Sequence, residues 1–351
     1  MYRQMGHVSA AILRSREREL ALGSGKGRDV LGGAGVRGSK KRCLSVLTPH
    51  LHMSLVGYYG HVASSSRGRT ETNQAAMAAR IFIVAGKRTP FGAFGGALKG
   101  KSATELCVHA TKAALAAGKV NPAIIDTVVV GSVQQTSPDA AYLARHVALK
   151  AEMKEPTPAL TINRLCGSGF QSCVNVAQEI RLGEAAVGVA AGTESMSQAP
   201  MAVYGHEVRW GTRLGSPTEM KDTLWAGLTD SHAGCPMGVT AENLASDFSI
   251  SRVESDTYAL ESQARWVKAK EAGKFDDEIA PIELKSRKGP VSFDTDEHPR
   301  ATTLEKMGKL PTTFKKDGVV RATTHAHARP PWPAQAQCSD RELSACLALC
   351  R

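Results

Sequence analysis

The sequence predicts an α/β protein built around a mostly parallel sheet. Apolar runs typical of buried strands occur at "TVVVGSV" (Thr127–Val133) and "AVGVAAG" (Ala186–Gly192). Between them, the apolar residues of Phe170–Ile180 recur on one helical face. Strands that alternate with helices indicate parallel βαβ units, and 351 residues are enough to bury a large core.

Strand and helix patterns alternate from residue 80 to residue 194, which we assign to one α/β half-domain. In chain order, the predicted elements are the strand Ile81–Ala85, a helix from Ser102 to Gly118, the strand Thr127–Val133, a helix over Asp139–Lys150, the strand Ala159–Asn163, a helix from Phe170 to Gly183 and the strand Ala186–Gly192. Ser102 and Glu105 form a capping box. Gly118 and Gly183 are suited to helix C-terminal caps.

Residues 195–318 are predicted to form a loop-rich subdomain. The first part of this segment carries many Pro, Gly, Met and polar residues and shows little periodicity. Helices are predicted near Ala241–Phe248 and from Ser251 to Ala272, the second of which begins with another capping box. The stretch "IELK" (residues 282–285) predicts a strand.

The two ends of the sequence differ in composition from the rest. Residues 1–79 carry twelve Lys and Arg residues against four acidic ones, which accounts for most of the net charge of +11. They predict a basic disordered leader, and the alternatives are an organelle transit peptide or an extension upstream of a natural start at Met77. Nucleic-acid binding by this leader is not expected, because interleaved aromatic residues and a reader motif are lacking. Residues 319–351 are predicted to be a divergent tail with at most a short helix near Glu342–Leu349.

The eight cysteines give no sign of a metal site or of a disulfide scaffold. They form no CxxC pair and no His/Cys zinc spacing. A chain of this length does not need disulfides to fold, so reduced thiols in an intracellular compartment are expected. No run of eighteen apolar residues occurs, and therefore no membrane span is predicted.

The stretch "TINRLCGSGFQSC" (Thr161–Cys173) puts Cys166 between a predicted strand and a predicted helix. The unpaired N–H groups at a helix N-terminus favour a thiolate, which is a strong nucleophile. Gly167 and Gly169 would allow a sharp turn and the close approach of a substrate. Taken alone, a glycine-flanked cysteine is more often a small buried hydrophobic residue.

The wider sequence resembles one enzyme family. "NRLCGSGFQS" (Asn163–Ser172) resembles the nucleophile motif of thiolases. Further stretches that resemble the same family are "GKRTPFGAFGG" (Gly86–Gly96), "YLARHVAL" (Tyr142–Leu149), "AGTESMSQAP" (Ala191–Pro200), "MGVTAENLA" (Met237–Ala245) and "DEHPRATTLEKMGKLPTTFKKDG" (Asp296–Gly318). The resemblance runs from about Arg80 to Gly318 and is nearest to the mitochondrial 3-ketoacyl-CoA branch. Ketoacyl synthases are the runner-up family.

The resemblance implies the layered thiolase fold and CoA-dependent cleavage of 3-ketoacyl-CoA in fatty acid β-oxidation, located in mitochondria. It implies that Cys166 accepts the acyl group as a thioester and that Arg300 and Thr302 contact the CoA nucleotide. An arginine suits phosphate recognition. Met237 falls on the pocket-lining loop of the family. Coenzyme A would be a co-substrate, with no permanently bound cofactor and no metal. The partner would be a second copy of the chain, in a dimer or tetramer.

The resemblance also implies partners for the thiol that this sequence does not contain. The family's second half supplies a Gly-His-Pro histidine and a second cysteine in a Cys-x-Gly setting, and neither motif occurs here. His298-Pro299 is rejected as a substitute, because it lacks the Gly-rich turn. We therefore expect the C-terminal half to be missing and the first sheet to lack its last strand. The alternative functions are an inactive truncated thiolase fragment that binds CoA or partner subunits, and a biosynthetic acetoacetyl-CoA thiolase.

Overall fold

The computed structural model of this chain describes residues 9–15 and 80–321. Apart from residues 9–15, the segment to which the transit-peptide and upstream-extension predictions refer lies outside the described residues, as does the short helix predicted near Glu342–Leu349. Within the described ranges, no helix is both long enough and apolar enough to cross a membrane.

The sheet region, defined here as residues 9–15 and 80–194, contains a five-stranded sheet and three α-helices among its described residues. Its elements, in chain order, are β1 (Ser9–Ser15), β2 (Ile81–Arg88), α1 (Ala103–Ala117), β3 (Thr127–Gly131), α2 (Leu143–Lys150), β4 (Ala159–Ile162), α3 (Ser168–Leu182) and β5 (Val187–Gly192). From β2 onward this is the predicted alternation, so the α/β class is confirmed.

Strand β1 lies inside the sheet, whose strand order is β2-β1-β5-β3-β4. β3 pairs in parallel with both β4 and β5, whereas β1 pairs antiparallel with both β2 and β5. The expectation of a disordered leader is therefore wrong for residues 9–15. A local pattern could not reveal this strand, because its stabilising hydrogen bonds go to partners that are remote in the sequence.

Apolar side chains cover both faces of the sheet. Alternation along β3 sends Val128 and Val130 into the core beneath α1 and α2, and sends Val129 to the opposite face beneath α3. On that second face, Val176 and Ile180 of α3 pack against the sheet. Full burial of such a side chain contributes about 1.5–3 kcal/mol, so this core accounts for much of the region's stability.

The helix ends follow the sequence signals closely at two of the three helices. Ser102 Oγ accepts a hydrogen bond from Glu105 N at 3.1 Å, and a Glu105 carboxylate oxygen accepts one from Ser102 N at 2.9 Å. Gly183 ends α3 in the left-handed conformation, with φ 76°. The helix predicted over Asp139–Lys150 differs, because it opens with a 3-10 turn at Ala140–Tyr142 before α2 begins.

The loop region, defined here as residues 195–321, consists of short elements and two longer helices. Its elements, in chain order, are β6 (Met201–Ala202), α4 (Gly205–Val208), β7 (Lys221–Asp222), α5 (Thr223–Leu228), β8 (Thr229–Asp230), β9 (Cys235–Pro236), α6 (Met237–Asp247), α7 (Arg252–Glu271), β10 (Ile282–Ser286), β11 (Gly289–Phe293) and α8 (Leu304–Gly308). The strand predicted at "IELK" is β10. α6 begins before the predicted Ala241, at Met237, which packs against Met196 and Leu224.

A buried ion pair joins the end of β2 to the loop region. The Arg88 guanidinium donates to both carboxylate oxygens of Asp296, at 2.7 and 3.1 Å. Asp296 also accepts from Phe91 N at 2.8 Å and from Trp266 Nε1 at 3.1 Å. Burial would raise the pKa of Asp296, but the hydrogen bonds and charge of Arg88 hold that pKa below its usual value. The carboxylate therefore stays ionised and keeps both regions in one arrangement.

The first three residues of the predicted tail pack within the loop region. The Glu242 carboxylate accepts from the N–H groups of Val319 and Val320, at 2.9 and 2.8 Å. Arg321 Nη2 lies 3.2 Å from Asp256 Oδ2, and both side chains are buried. The predicted boundary between subdomain and tail is therefore three residues too early.

Candidate active site

The exposed thiol of Cys166 lies in the turn that connects β4 to α3. The turn occupies residues 163–167, and α3 starts at Ser168. The fifteen residues of α3 direct their N-terminal end towards this turn, where backbone N–H groups and the helix dipole favour negative charge. The structure thus gives Cys166 the strand-to-helix position that the sequence predicts for it.

Hydrogen bonds within the turn fix the backbone on both sides of the cysteine. Asn163 Oδ1 accepts from Leu165 N at 2.9 Å. Ser168 Oγ accepts from Arg164 N at 2.8 Å and donates to the carbonyl of Leu165 at 2.6 Å. These bonds hold Leu165 at φ 48°, a left-handed conformation that costs a residue with a side chain about 1–2 kcal/mol. The residue before Cys166 is therefore held in a defined, strained conformation.

The tightest glycines at this site lie on the strands and not beside the cysteine. A Cβ on Gly131, the last residue of β3, would lie 2.4 Å from the backbone of Ser168. A Cβ on Gly192, the last residue of β5, would lie 2.9 Å from Gly169 Cα. These two glycines let the start of α3 sit directly on the ends of two strands. The sequence shows that each of these glycines lies at or near the end of a predicted strand, but only the structure shows that each is needed for the close packing of α3.

The sharp turn predicted at Gly167 does not require a glycine there, while the predicted close approach of a substrate stays a prediction. The φ of −85° at Gly167 is accessible to any residue, and the sharp turn falls on Leu165 instead. A Cβ on Gly167 would lie 3.4 Å from the carbonyl oxygen of Arg164, and one on Gly169 would lie 3.6 Å from Gly192 Cα. Gly169 thus serves mainly the close packing of α3 on the sheet.

A buried carboxyl group supports the same edge of the sheet. Glu194, two residues after β5, accepts from Val133 N at 2.9 Å and from Gln134 N at 3.2 Å. Burial raises the pKa of Glu194 to about 7, although these backbone hydrogen bonds oppose the shift. Glu194 therefore ties the loop after β3 to the segment after β5. The sequence pattern did not single out Glu194, for which the available signal was an acidic residue two positions after a buried strand.

Three cysteines of the sheet region differ sharply in their surroundings. Cys107 is fully buried in α1, and desolvation raises the pKa of its thiol to about 12. Cys173 is half-buried in α3, with its Sγ 3.8 Å from the carbonyl oxygen of Gly169. Only the thiol of Cys166 among these three is exposed. A reactive thiol must be both accessible and ionisable, which favours Cys166.

The other predicted site residues lie in the loop region. Arg300 is exposed and its backbone N–H donates to Gln263 Oε1 at 3.0 Å, while Thr302 is half-buried shortly before α8. Met237 begins α6, where it packs near Met196. Met196 lies shortly after β5 in the chain. Arg300 and Thr302 lie two residues apart in sequence, and their contact with CoA stays a prediction.

The rejected histidine also has a defined position. His298 Nε2 lies 3.2 Å from the carbonyl oxygen of Gly92 and is part-buried. This contact joins the loop region to the segment after β2.

Taken together, the fold and the site define an α/β protein that presents a cysteine at the start of a helix. Comparison with family models identifies the class: residues 81–327 match the thiolase N-terminal domain, and the chain belongs to the thiolase family. The predicted family is confirmed.

Individual relatives refine this assignment. The chain is 58% identical to human mitochondrial 3-ketoacyl-CoA thiolase over 243 residues, which cover 69% of this chain and 61% of the relative. It is 43% identical to the beta-ketothiolase BktB of Cupriavidus necator, over 70% of this chain and 62% of that protein. The chain thus spans about 61% of the length of the curated relatives that it matches.

Solved structures agree with the sequence comparison. A crystal structure of human mitochondrial 3-ketoacyl-CoA thiolase matches with a TM-score of 0.67 and covers 69% of this chain and 61% of the other. A second crystal structure of the human enzyme, in complex with CoA, matches with a TM-score of 0.65 at 57% identity, covering 69% of this chain and 60% of the other. The thiolase-type α/β fold is therefore confirmed for the matched residues.

Proposed function

We propose that this chain carries thiolase-type acyl transfer through Cys166: 3-ketoacyl-CoA and CoA react to give acetyl-CoA and an acyl-CoA shortened by two carbons. The observation that carries the proposal is the exposed Cys166 thiol at the N-terminus of α3, in a chain of the thiolase family. The activity as a whole is inferred from relatives of which this chain spans about 61%.

In the proposed reaction, the Cys166 thiolate attacks the 3-keto carbon of the substrate. The bond between C2 and C3 breaks, and its electron pair moves to the acetyl-CoA fragment, which takes up a proton. The shortened acyl group remains on sulfur as a thioester. The thiol of a second CoA then loses its proton, attacks this thioester and releases the Cys166 thiolate. A cysteine suits this exchange because the two thioesters are close in energy.

Coenzyme A binding is assigned to the loop region in this proposal. Arg300 offers an exposed guanidinium, which can donate to phosphate oxygens in a fork-shaped arrangement. Thr302 adds a hydroxyl group two residues away, and Met237 offers an apolar wall. A human relative crystallised in complex with CoA supports CoA as co-substrate.

The proposed location is mitochondrial and the proposed partner is a second copy of the chain. The mitochondrial names of the human and mouse relatives support the location. Strand β4 is an outer strand of the sheet, and its Leu160 is 48% exposed, which suits pairing with another subunit. Light scattering of the purified chain tests this, and a monomer at all concentrations would contradict the proposed self-association.

A second candidate function is a binding fragment without turnover. It is favoured by the sequence, which contains neither a Gly-His-Pro motif nor a cysteine in a Cys-x-Gly setting. Such a chain could bind CoA or accept an acyl group without completing the cycle. A biosynthetic acetoacetyl-CoA thiolase is less favoured, because the acetyl-CoA acetyltransferase relative from Synechocystis is 42% identical against 58% for the human 3-ketoacyl-CoA thiolase.

The test separates acylation from turnover. The folded chain is incubated with a 3-ketoacyl-CoA and CoA, while acetyl-CoA release is followed and intact mass reports any acyl adduct. Cys166→Ser removes the proposed nucleophile, and Cys173→Ser is the matched control in the neighbouring helix. We expect turnover and an adduct that depend on Cys166 and not on Cys173.

Other outcomes decide between the candidates. An adduct on Cys166 without turnover would restrict the function to the acyl-accepting step. CoA binding without any adduct would support the binding fragment. Equal activity in the wild type and in Cys166→Ser would overturn the role of Cys166.

A further inference from the structure

Strand β1 holds β2 in the sheet. Residues 9–15 pair along their whole length with Ile81–Arg88, and residues 9–14 pair with Val187–Gly192 on the other side. In the described sheet, β2 has β1 as its one neighbour, since it is the outermost strand of the order β2-β1-β5-β3-β4. The attachment of β2 to the rest of the sheet thus passes through an N-terminal segment.

The gap that β1 fills between β2 and β5 has a defined width and is lined by backbone hydrogen-bonding groups. Neighbouring strands lie about 4.8 Å apart, so β2 and β5 are separated by about twice that distance and cannot bond to each other. Both present backbone N–H and C=O groups towards the gap, and unpaired groups of this kind recruit a further strand. The occupant must be an extended segment of about seven residues that runs antiparallel to both neighbours.

The segment that fills the gap is connected to β2 only through residues 16–79. The pairing therefore does not rest on a tight hairpin, which would fix register through its turn geometry. The sequence "SAAILRS" contains no glycine or proline, and its central Ala-Ala-Ile-Leu run carries no charge. Such a segment can extend and can donate every backbone N–H to a ladder.

We propose that the gap between β2 and β5 is a strand-acceptor site whose occupant is residues 9–15 of the same chain. Residues 9–15 are then part of the folded unit. This inference does not depend on acyl transfer.

A register-specific disulfide in the full chain tests the occupant directly. Ala11 and Gly86 are Cα partners, so Ala11→Cys with Gly86→Cys brings two thiols within disulfide range. The matched control is Ala11→Cys with Phe82→Cys. Phe82 lies four residues further along β2, about 13 Å away, which is beyond disulfide range.

Mild oxidation followed by peptide mass mapping gives the readout. We expect a cross-link between positions 11 and 86 in a monomer, and at least about tenfold less of the control cross-link between positions 11 and 82. Equal yields for both pairs would overturn the proposed register. A cross-link found only between two chains would overturn the assignment to the same chain and indicate an exchanged strand.

Strand complementation gives a second, independent measurement. Deletion of residues 2–15 should abolish soluble folded protein, whereas deletion of residues 2–7, which leaves β1 intact, should not. A peptide of residues 8–16 added during refolding should restore soluble protein to the longer deletion. The same peptide with Ala11→Pro should not, because proline cannot donate to the ladder. Unchanged folding after the longer deletion would overturn the proposal.

Discussion

The sheet region and the loop region are held together by different kinds of interaction. In the sheet region, Val128, Val129 and Val130 are completely buried, and both faces of the sheet are covered by helices. In the loop region, large apolar side chains reach the surface, with Trp210 at 84% exposure. Among the twenty residues of α7, Asp256 is the one that is buried. Apolar burial thus dominates in the first region, although Glu194 is buried there as well, whereas the second region relies more on buried carboxylates such as Asp296, Asp256 and Glu242.

This difference has a consequence for specificity. Apolar burial is non-directional, so it tolerates small shifts between elements. A carboxylate that accepts two or three hydrogen bonds requires one geometry, as Asp296 and Glu242 illustrate. The loop region, which carries the proposed CoA contacts, therefore depends on a few polar anchors for its shape.

The largest effect is expected where the two regions meet. Asp296→Ala should destabilise the fold by up to about 3–5 kcal/mol, because the buried Arg88 guanidinium keeps only its contact with Glu278, and Phe91 N and Trp266 Nε1 lose their acceptor. Asp294→Ala, two residues earlier and exposed, is the control and should change stability by less than about 0.5 kcal/mol. Urea unfolding measures both. Similar losses in the two variants would show that the buried pair is not an anchor.

Apolar burial should matter mainly in the sheet region. Leu106→Ala removes a side chain that is 1% exposed and should cost about 2–5 kcal/mol. Leu214→Ala, fully exposed in the loop region, should be close to neutral. Chemical denaturation of both variants measures the two losses of stability. Comparable losses would contradict the expectation that apolar burial matters mainly in the sheet region.

Glu194 is expected to make the stability of the folded chain depend on pH. Its pKa is about 7 in the folded chain and 4.5 in the ordinary state, so the folded chain binds the proton more tightly. The tighter proton binding adds to the free energy of unfolding at low pH, and this stabilisation is lost as the pH rises from about 4.5 to 7. It amounts to at most about 3 kcal/mol. Glu194→Gln should flatten the pH profile of the melting temperature in that window. The same slope in the variant and the wild type would contradict the assignment.

The smallest effects should be equal in the two regions. Ser102 caps α1 in the sheet region and Ser251 caps α7 in the loop region, each within a capping box. Replacing either serine by alanine should cost about 1 kcal/mol, because one backbone N–H loses its partner in each case. Thermal unfolding measures both losses. A clear difference between the two losses of stability would mean that the contribution of a helix cap depends on the packing around it.

Local signals were sufficient for much of this fold. The capping boxes, the buried strands and the strand-to-helix position of Cys166 all depend on residues close together in sequence, and the structure has them where they were predicted. Other features depend on contacts between distant residues. β1 finds its partners far along the chain, and Gly131 is needed only because α3 packs against it. The left-handed Leu165 likewise follows from the hydrogen bonds of Asn163 and Ser168.

The position of β1 also bears on the order in which the chain can fold during synthesis. Residues 9–15 leave the ribosome first, yet Ser9 pairs with Gly192, which is made only after more than half of the chain has emerged. Until then the Ala-Ala-Ile-Leu run can pair with β2 alone, and its other edge is available to chaperones or to neighbouring nascent chains. Since pairings between remote segments form slowly, closure of the sheet around β1 is expected to be a late event in the folding of this protein.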